Sequence, residues 1–145
     1  MSLDGRYDPD NVFAKVIRGE APAAKVYEDH DSLAFMDLFP QSRGHVLVVS
    51  KGSQARNLLE IEPERLQHLV LSVQRVARAV RAALKPDGVA VMQFNGAAAG
   101  QTVFHLHFHV IPRYADQPLG GHGHGRMADP AELQALARAI AAEIT

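Results

Sequence analysis

The 145-residue chain contains no cysteine, which removes disulfides, thiolate nucleophiles and cysteine-ligated zinc together. Long apolar runs are missing too. Nothing approaches the roughly 20 residues needed to cross a bilayer, and the opening "MSLDGRYDPD" is polar and acidic, with no apolar signal core. A soluble, cytoplasmic protein with no membrane partner is the expectation. An excess of charge of one sign is also lacking. At a formal net charge of −1 no global positive field favours nucleic acid, so an anionic ligand has to be held by local groups. The length suits one domain with a substantial core and is short for two, so residues 1–145 are expected to form a single domain.

What is present has clear periodicity. After a loose N-terminus over 1–10, "DNVFAKVIRGE" sets Val12, Phe13, Val16 and Ile17 at helical spacing, with Asp10 or Asn11 as cap and Gly19 as stop. "AKVYED" and "SLAFMD" flank an acidic turn and read as a β-hairpin, with Pro40 ending the second strand. "HVLVVS" is a β-branched run expected to be buried on both faces. Pro63 opens a long amphipathic helix whose stripe runs from Leu66 through Leu69, Val70, Val73, Val76, Ala77 and Val80 to Leu84, with its arginines mostly on the solvated face. "GVAVMQFN" and "TVFHLHFHVIPR" read as further strands joined by "GAAAG", the last closed by Pro112. Residues 113–128 read as a loop, and 129–145 as a helix capped by Asp129 with Pro130 at its first position. The sum is an α+β domain: about five antiparallel strands, a short N-terminal helix, a long amphipathic helix and a C-terminal helix.

Chemistry concentrates in "HLHFHVI", residues 105–111. Strand alternation puts His105, His107 and His109 on one face and Leu106, Phe108 and Val110 on the other. A metal clip, an ordinary polar strand face and a row of catalytic imidazoles all remain open. One zinc takes histidine nitrogens at about 2.0 to 2.1 Å, whereas positions i and i+4 of a strand lie roughly 13 Å apart, so one ion does not readily collect the whole row. Polar strand faces usually mix side chains rather than repeat the one that titrates near neutrality. Imidazole also attacks phosphorus, while neighbouring imidazoles hydrogen-bond phosphoryl oxygens or protonate a leaving group. Just ahead of the row, Asn95, the amides of a small-residue loop, Gln101 and Thr102 suit phosphate binding without net charge.

The pattern His-φ-His-φ-His-φ-φ resembles the signature of the histidine triad (HIT) superfamily at every position. "FAKVIRGEAPAAKVYEDHDSLAFMDLFPQSRGHVLVVSK" is similar to the N-terminal half of its Hint branch, and "AGQTVFHLHFHVIPR" to a segment shared by the Hint and Fhit-like branches. The resemblance implies a HIT-like fold and roles for individual residues. His107 would be the nucleophile that carries a nucleotidyl group, His109 would contact the α-phosphate, and His105 would support the nucleophile. His45 would orient one of these imidazoles from behind. Asp37 would bind the ribose hydroxyls; Phe13, Val16, Phe35 and Leu38 would enclose the base; Asn95, Gln101 and Thr102 would lie on the phosphate side.

The implied activity is hydrolysis of purine nucleoside phosphoramidates by a homodimer built on the Leu66–Leu84 stripe and the Val89–Phe94 strand. A Fhit-type dinucleoside polyphosphate hydrolase and a non-catalytic nucleotide-binding module are the alternatives. Some bacterial relatives carry a structural zinc site where this chain has Asn11, Ala14 and Ser53, so neither that zinc nor any other metal or cofactor is expected. His122 and His124, in "GGHGHG", read as part of a mobile glycine-rich loop with no assigned role.

Overall fold

The computed structural model describes residues 3–118 and 126–145, so His122 and His124 lie outside the described residues. Strands β1 (Lys25–Glu28), β2 (Ser32–Met36), β3 (Val46–Ser50), β4 (Gly88–Met92) and β5 (His107–Arg113) form one sheet in the order β1-β2-β3-β5-β4, with every neighbouring pair antiparallel. Helix α1 (Val12–Arg18) covers one face. Helices α2 (Pro63–Leu84) and α3 (Pro130–Ala141) cover the other. This is the α+β architecture expected from the sequence, and α3 is shorter than the 129–145 span expected for it.

Alternation explains the layers. Ala34, Met36, Val46, Val48 and Val110 point into the main core with Leu69, Val73, Val76 and Val80 of α2 and Leu133, Leu136 and Ile140 of α3. Leu33, Phe35, Leu47 and Val49 point the other way, onto Phe13 and Val16 of α1. Both faces of β2 and β3 are therefore buried throughout. At seven residues α1 is too short to be stable alone, and packing of its apolar side supplies what propensity does not. Asn11 caps it by accepting from the Ala14 amide, and Gly19, at φ 79°, closes it.

The α2 stripe proves to be mostly intrachain core, since Leu69, Val73, Val76 and Val80 face the sheet. Its exposed large apolar residues are Val70 and Leu71, and the sheet's edge strand β4 exposes Val91. Among the described residues no helix is long and apolar enough to cross a membrane.

Two expectations about the last strand are corrected. Pro112 does not end it, because the strand continues to Arg113 while paired with β4. The Pro112 carbonyl accepts from the Ser42 hydroxyl on the side where β3 pairing has already stopped, so the missing N–H removes no ladder bond. The strand also starts late, at His107, and residues 103–105 form a bend before it. His105 is thus not part of a continuous row on one strand face.

Candidate active site

Sheet register assembles the site. Antiparallel pairing matches Leu47 with His109 and Val49 with His107, so both imidazoles emerge on the face covered by α1. Continuing the same register sets His45 opposite Ile111 and diagonal to His109, within reach of a ring. The β2–β3 pairing, extended one step, sets Asp37 against His45, and the Asp37 amide donates to the His45 carbonyl at 3.0 Å. Gly44, at φ 97°, makes the turn into β3; a Cβ there would stand 2.2 Å from Leu84 Cδ1.

These placements create a cavity of about 220 Å³. Phe13, Val16, Phe35, Asp37, Leu38, Thr102, His107 and His109 line it, together with Val12, Pro22, Ala23, Met36, Phe39, Leu47 and Val103. Val12 is legible in the sequence only as part of the first helix, and the others of the second group are unremarkable apolar residues whose place at the cavity depends on the fold. The Phe13 ring meets the His107 imidazole edge-on, with centroids 4.8 Å apart, and Phe35 edge-on at 5.4 Å.

Hydrogen bonds assign the protons. His107 Nδ1 lies 2.7 Å from the His105 carbonyl, which only accepts, so Nδ1 holds the proton and the neutral ring's lone pair is on Nε2. His45 Nδ1 accepts from the Gln41 amide at 3.0 Å, which puts the neutral ring's proton on Nε2. That proton faces His109 Nδ1 at 3.0 Å, with an Asp37 carboxylate oxygen 3.4 Å away. His109 therefore accepts on Nδ1 and, when neutral, carries its own proton on Nε2. The two imidazoles lie with centroids 5.0 Å apart and have opposite tautomers. One offers an electron pair and the other a donor.

His105 stands outside the cavity. Its Nε2 donates to the Ser50 carbonyl at 3.2 Å and its Nδ1 accepts from the Tyr7 hydroxyl at 2.7 Å. Burial pushes its pKa down to about 4, against a smaller opposing effect of the Ser50 bond, so the ring is neutral at physiological pH. The Tyr7 bond shows that the segment before α1 is docked rather than loose, as does Asn57 donating to the Leu3 carbonyl. Ala14 and Ser53 line a second cavity beside Tyr7 and His105, while Asn11 is occupied as the α1 cap.

Asn95 and Gln101 lie elsewhere. The Asn95 carbonyl oxygen accepts from the Leu58 amide and from Gln93. Gln101 is buried, donates to the Arg56 and Val103 carbonyls and accepts from the Gly96 amide. Both side chains lock loops together. The loop between them also folds onto itself: the amides of Ala99 and Gln101 donate to the Gly96 carbonyl and that of Gly100 to the Ala97 carbonyl. These amides are not the phosphate donors that the small-residue composition suggested. Of the expected phosphate-side residues, Thr102 is the one at the cavity.

Asp37, His45 and His109 bring one donor atom each to within 4.8 Å of one another, a spacing that could hold a metal ion. The proton order opposes it. With Gln41 occupying Nδ1, His45 Nε2 would have to lose its proton to bind an ion, leaving an imidazolate or a broken Gln41 bond. As arranged, the trio is a hydrogen-bonded brace.

Residues 18–116 match the sequence model of the HIT domain. The chain belongs to the HIT family. A HIT-like protein from Bartonella henselae, described as involved in cell-cycle regulation and solved with an unknown ligand, is 45% identical. It superposes with a TM-score of 0.88 over 96% of this chain and 100% of that one. The protein hit of Bacillus subtilis is 39% identical across 90% of this chain and 91% of its own length. An adenosine 5′-monophosphoramidase of Schizosaccharomyces pombe is 34% identical, across 92% of this chain and 97% of its own. HIT membership agrees with the resemblance read from "HLHFHVI" and its flanks over nearly the whole chain, and the three-dimensional match covers 96% of it.

Proposed function

We propose that this chain is a cytoplasmic, homodimeric hydrolase of purine nucleoside phosphoramidates, acting through a nucleotidyl group held covalently on His107. One observation carries the proposal: His107 and His109 face one cavity with opposite tautomers, a lone pair on one Nε2 and a proton on the other. The phosphoramidase name of the fission-yeast relative agrees with it.

In this reading the base lies among Phe13, Val16, Phe35 and Leu38. The Asp37 carboxylate, which lines the cavity and accepts from the Phe39 amide, would meet the ribose hydroxyls. His107 Nε2 attacks the α-phosphorus, and the phosphorus–nitrogen bond breaks toward the amine, which takes up a proton from solvent. The new imidazolium is steadied by its Nδ1–H bond to the His105 carbonyl. His109 Nε2–H and the Thr102 hydroxyl hydrogen-bond phosphoryl oxygens. Water then attacks phosphorus and gives up a proton to solvent, while the bond from phosphorus to His107 Nε2 breaks and its electron pair returns to the imidazole.

The dimer would use the open edge of β4, where Val91 is 49% exposed, and Val70 and Leu71 on α2, the latter 62% exposed. A monomer by sedimentation at micromolar concentration would overturn that part.

The activity is tested by incubating wild type and His107→Ala with adenosine phosphoramidate and with diadenosine polyphosphates while following AMP release. Release from the phosphoramidate that disappears in the variant is the expected result. Preferential turnover of the polyphosphates favours the Fhit-type alternative, and nucleotide binding without turnover favours a binding module. Equal turnover by the variant overturns the assignment of His107.

A further inference from the structure

We propose that Tyr7 is a positioning residue, whose hydroxyl fixes His105 and through it the carbonyl that holds the proton of His107. The proposal rests on the reading of His107 as nucleophile. The chain of contacts is short. His107 Nδ1 donates to the His105 carbonyl at 2.7 Å, so the nucleophile's tautomer depends on where residue 105 stands. No sheet ladder holds that residue, because β5 begins two positions later and 103–105 form a bend. The fixed points nearby are the Leu106 amide on the Ala55 carbonyl and the two ring nitrogens of His105.

The ring is clamped from opposite ends. Ser50, at the end of β3, offers a carbonyl that only accepts, so Nε2 carries the proton and Nδ1 of the neutral ring presents a lone pair. Tyr7 fills that lone pair with its O–H at 2.7 Å, and its ring is tilted against the imidazole with centroids 5.7 Å apart. Burial keeps His105 neutral, which preserves this one-donor, one-acceptor pattern. Tyr7 touches neither the main cavity nor the reacting atoms, and acts through His105.

Tyr7→Phe tests this because it removes the hydroxyl and keeps the ring. The variant and wild type are compared by kcat and KM for AMP release, by ¹⁵N signals of the imidazoles and by thermal midpoint. Losing one neutral hydrogen bond predicts a kcat about threefold to tenfold lower, with KM unchanged. The His105 Nδ1 resonance should move toward that of an unbonded lone pair, and the His107 Nδ1–H should exchange faster with solvent. Unchanged kcat and unchanged imidazole signals overturn the proposal. A rise in KM alone, or a fall in kcat that only tracks the thermal midpoint with the His107 signal intact, overturns it as well. Should the wild type turn over no nucleotide, the function above fails, while the two imidazole signals still decide whether Tyr7 sets the His105 and His107 protons.

Discussion

His45 Nε2 and His109 Nδ1 meet at 3.0 Å in a place almost closed to solvent, with His45 fully buried and His109 3% exposed. A buried pair of imidazoles needs an agreed direction for its proton, and the Gln41 amide supplies it by occupying the far nitrogen of His45. His45→Ala should therefore remove the donor to His109 Nδ1 and the acceptor of the Gln41 amide together. The expected result is a kcat about threefold to tenfold lower with a stability loss of about 1–3 kcal/mol, measured by steady-state kinetics and urea unfolding. Wild-type kinetics in the variant would show that the His45 bond does not set the state of His109.

The depressed pKa of His105 has a consequence for stability. The unfolded chain binds a proton near pH 6.5, whereas the folded chain resists it until about pH 4. Stability from this group is complete above pH 6.5 and is lost as pH falls toward 4, by roughly 1.4 kcal/mol per unit and on the order of 3 kcal/mol in all. Urea unfolding of wild type and His105→Gln between pH 4 and 8 measures it. The variant should lack that part of the slope, and identical slopes would mean the imidazole is not held neutral by the fold.

Gly44 is committed twice, by a φ of 97° and by Leu84 Cδ1 lying 2.2 Å from where a Cβ would stand. Gly44→Ala should destabilise the domain by about 2–4 kcal/mol through strain and overpacking, read by urea unfolding. Because His45 follows directly, the surviving folded fraction should also lose activity. A loss below 0.5 kcal/mol, within the range of about ±0.5 for ordinary surface changes, would show that the α2 terminus yields freely.

Metal removal separates the brace from a metal centre. Activity should be unchanged after exhaustive treatment with a chelator, because the Gln41–His45–His109 proton order does the holding and attack by His107 requires no ion. Activity that disappears with the chelator and returns with zinc would assign Asp37, His45 and His109 to a metal instead.

Much of the fold is legible in the sequence because it depends on local rules. The Asn11 and Asp129 caps, the proline starts of α2 and α3 and the β-branched run of β3 all appear where patterning puts them. Pro112 and His105 show where such rules stop. A proline is excluded from a strand only if its nitrogen faces a partner, and alternation describes histidines only while the strand lasts. Tyr7, isolated in a polar stretch, carries no pattern that would distinguish it from a solvated tail.

The sequence by itself determined the order of the helices and strands, the face shared by His107 and His109, and the resemblance that joins them to a family. Tertiary structure decided which nitrogen of each ring holds a proton, that Asn95 and Gln101 lock loops while Thr102 reaches the cavity, and that Tyr7 reaches His105. The reason is physical. Periodicity is a property of neighbouring residues, whereas a tautomer is set by whichever donor or acceptor the fold brings to each nitrogen: a carbonyl two residues away for His107, and a ring 64 positions away in sequence for His109.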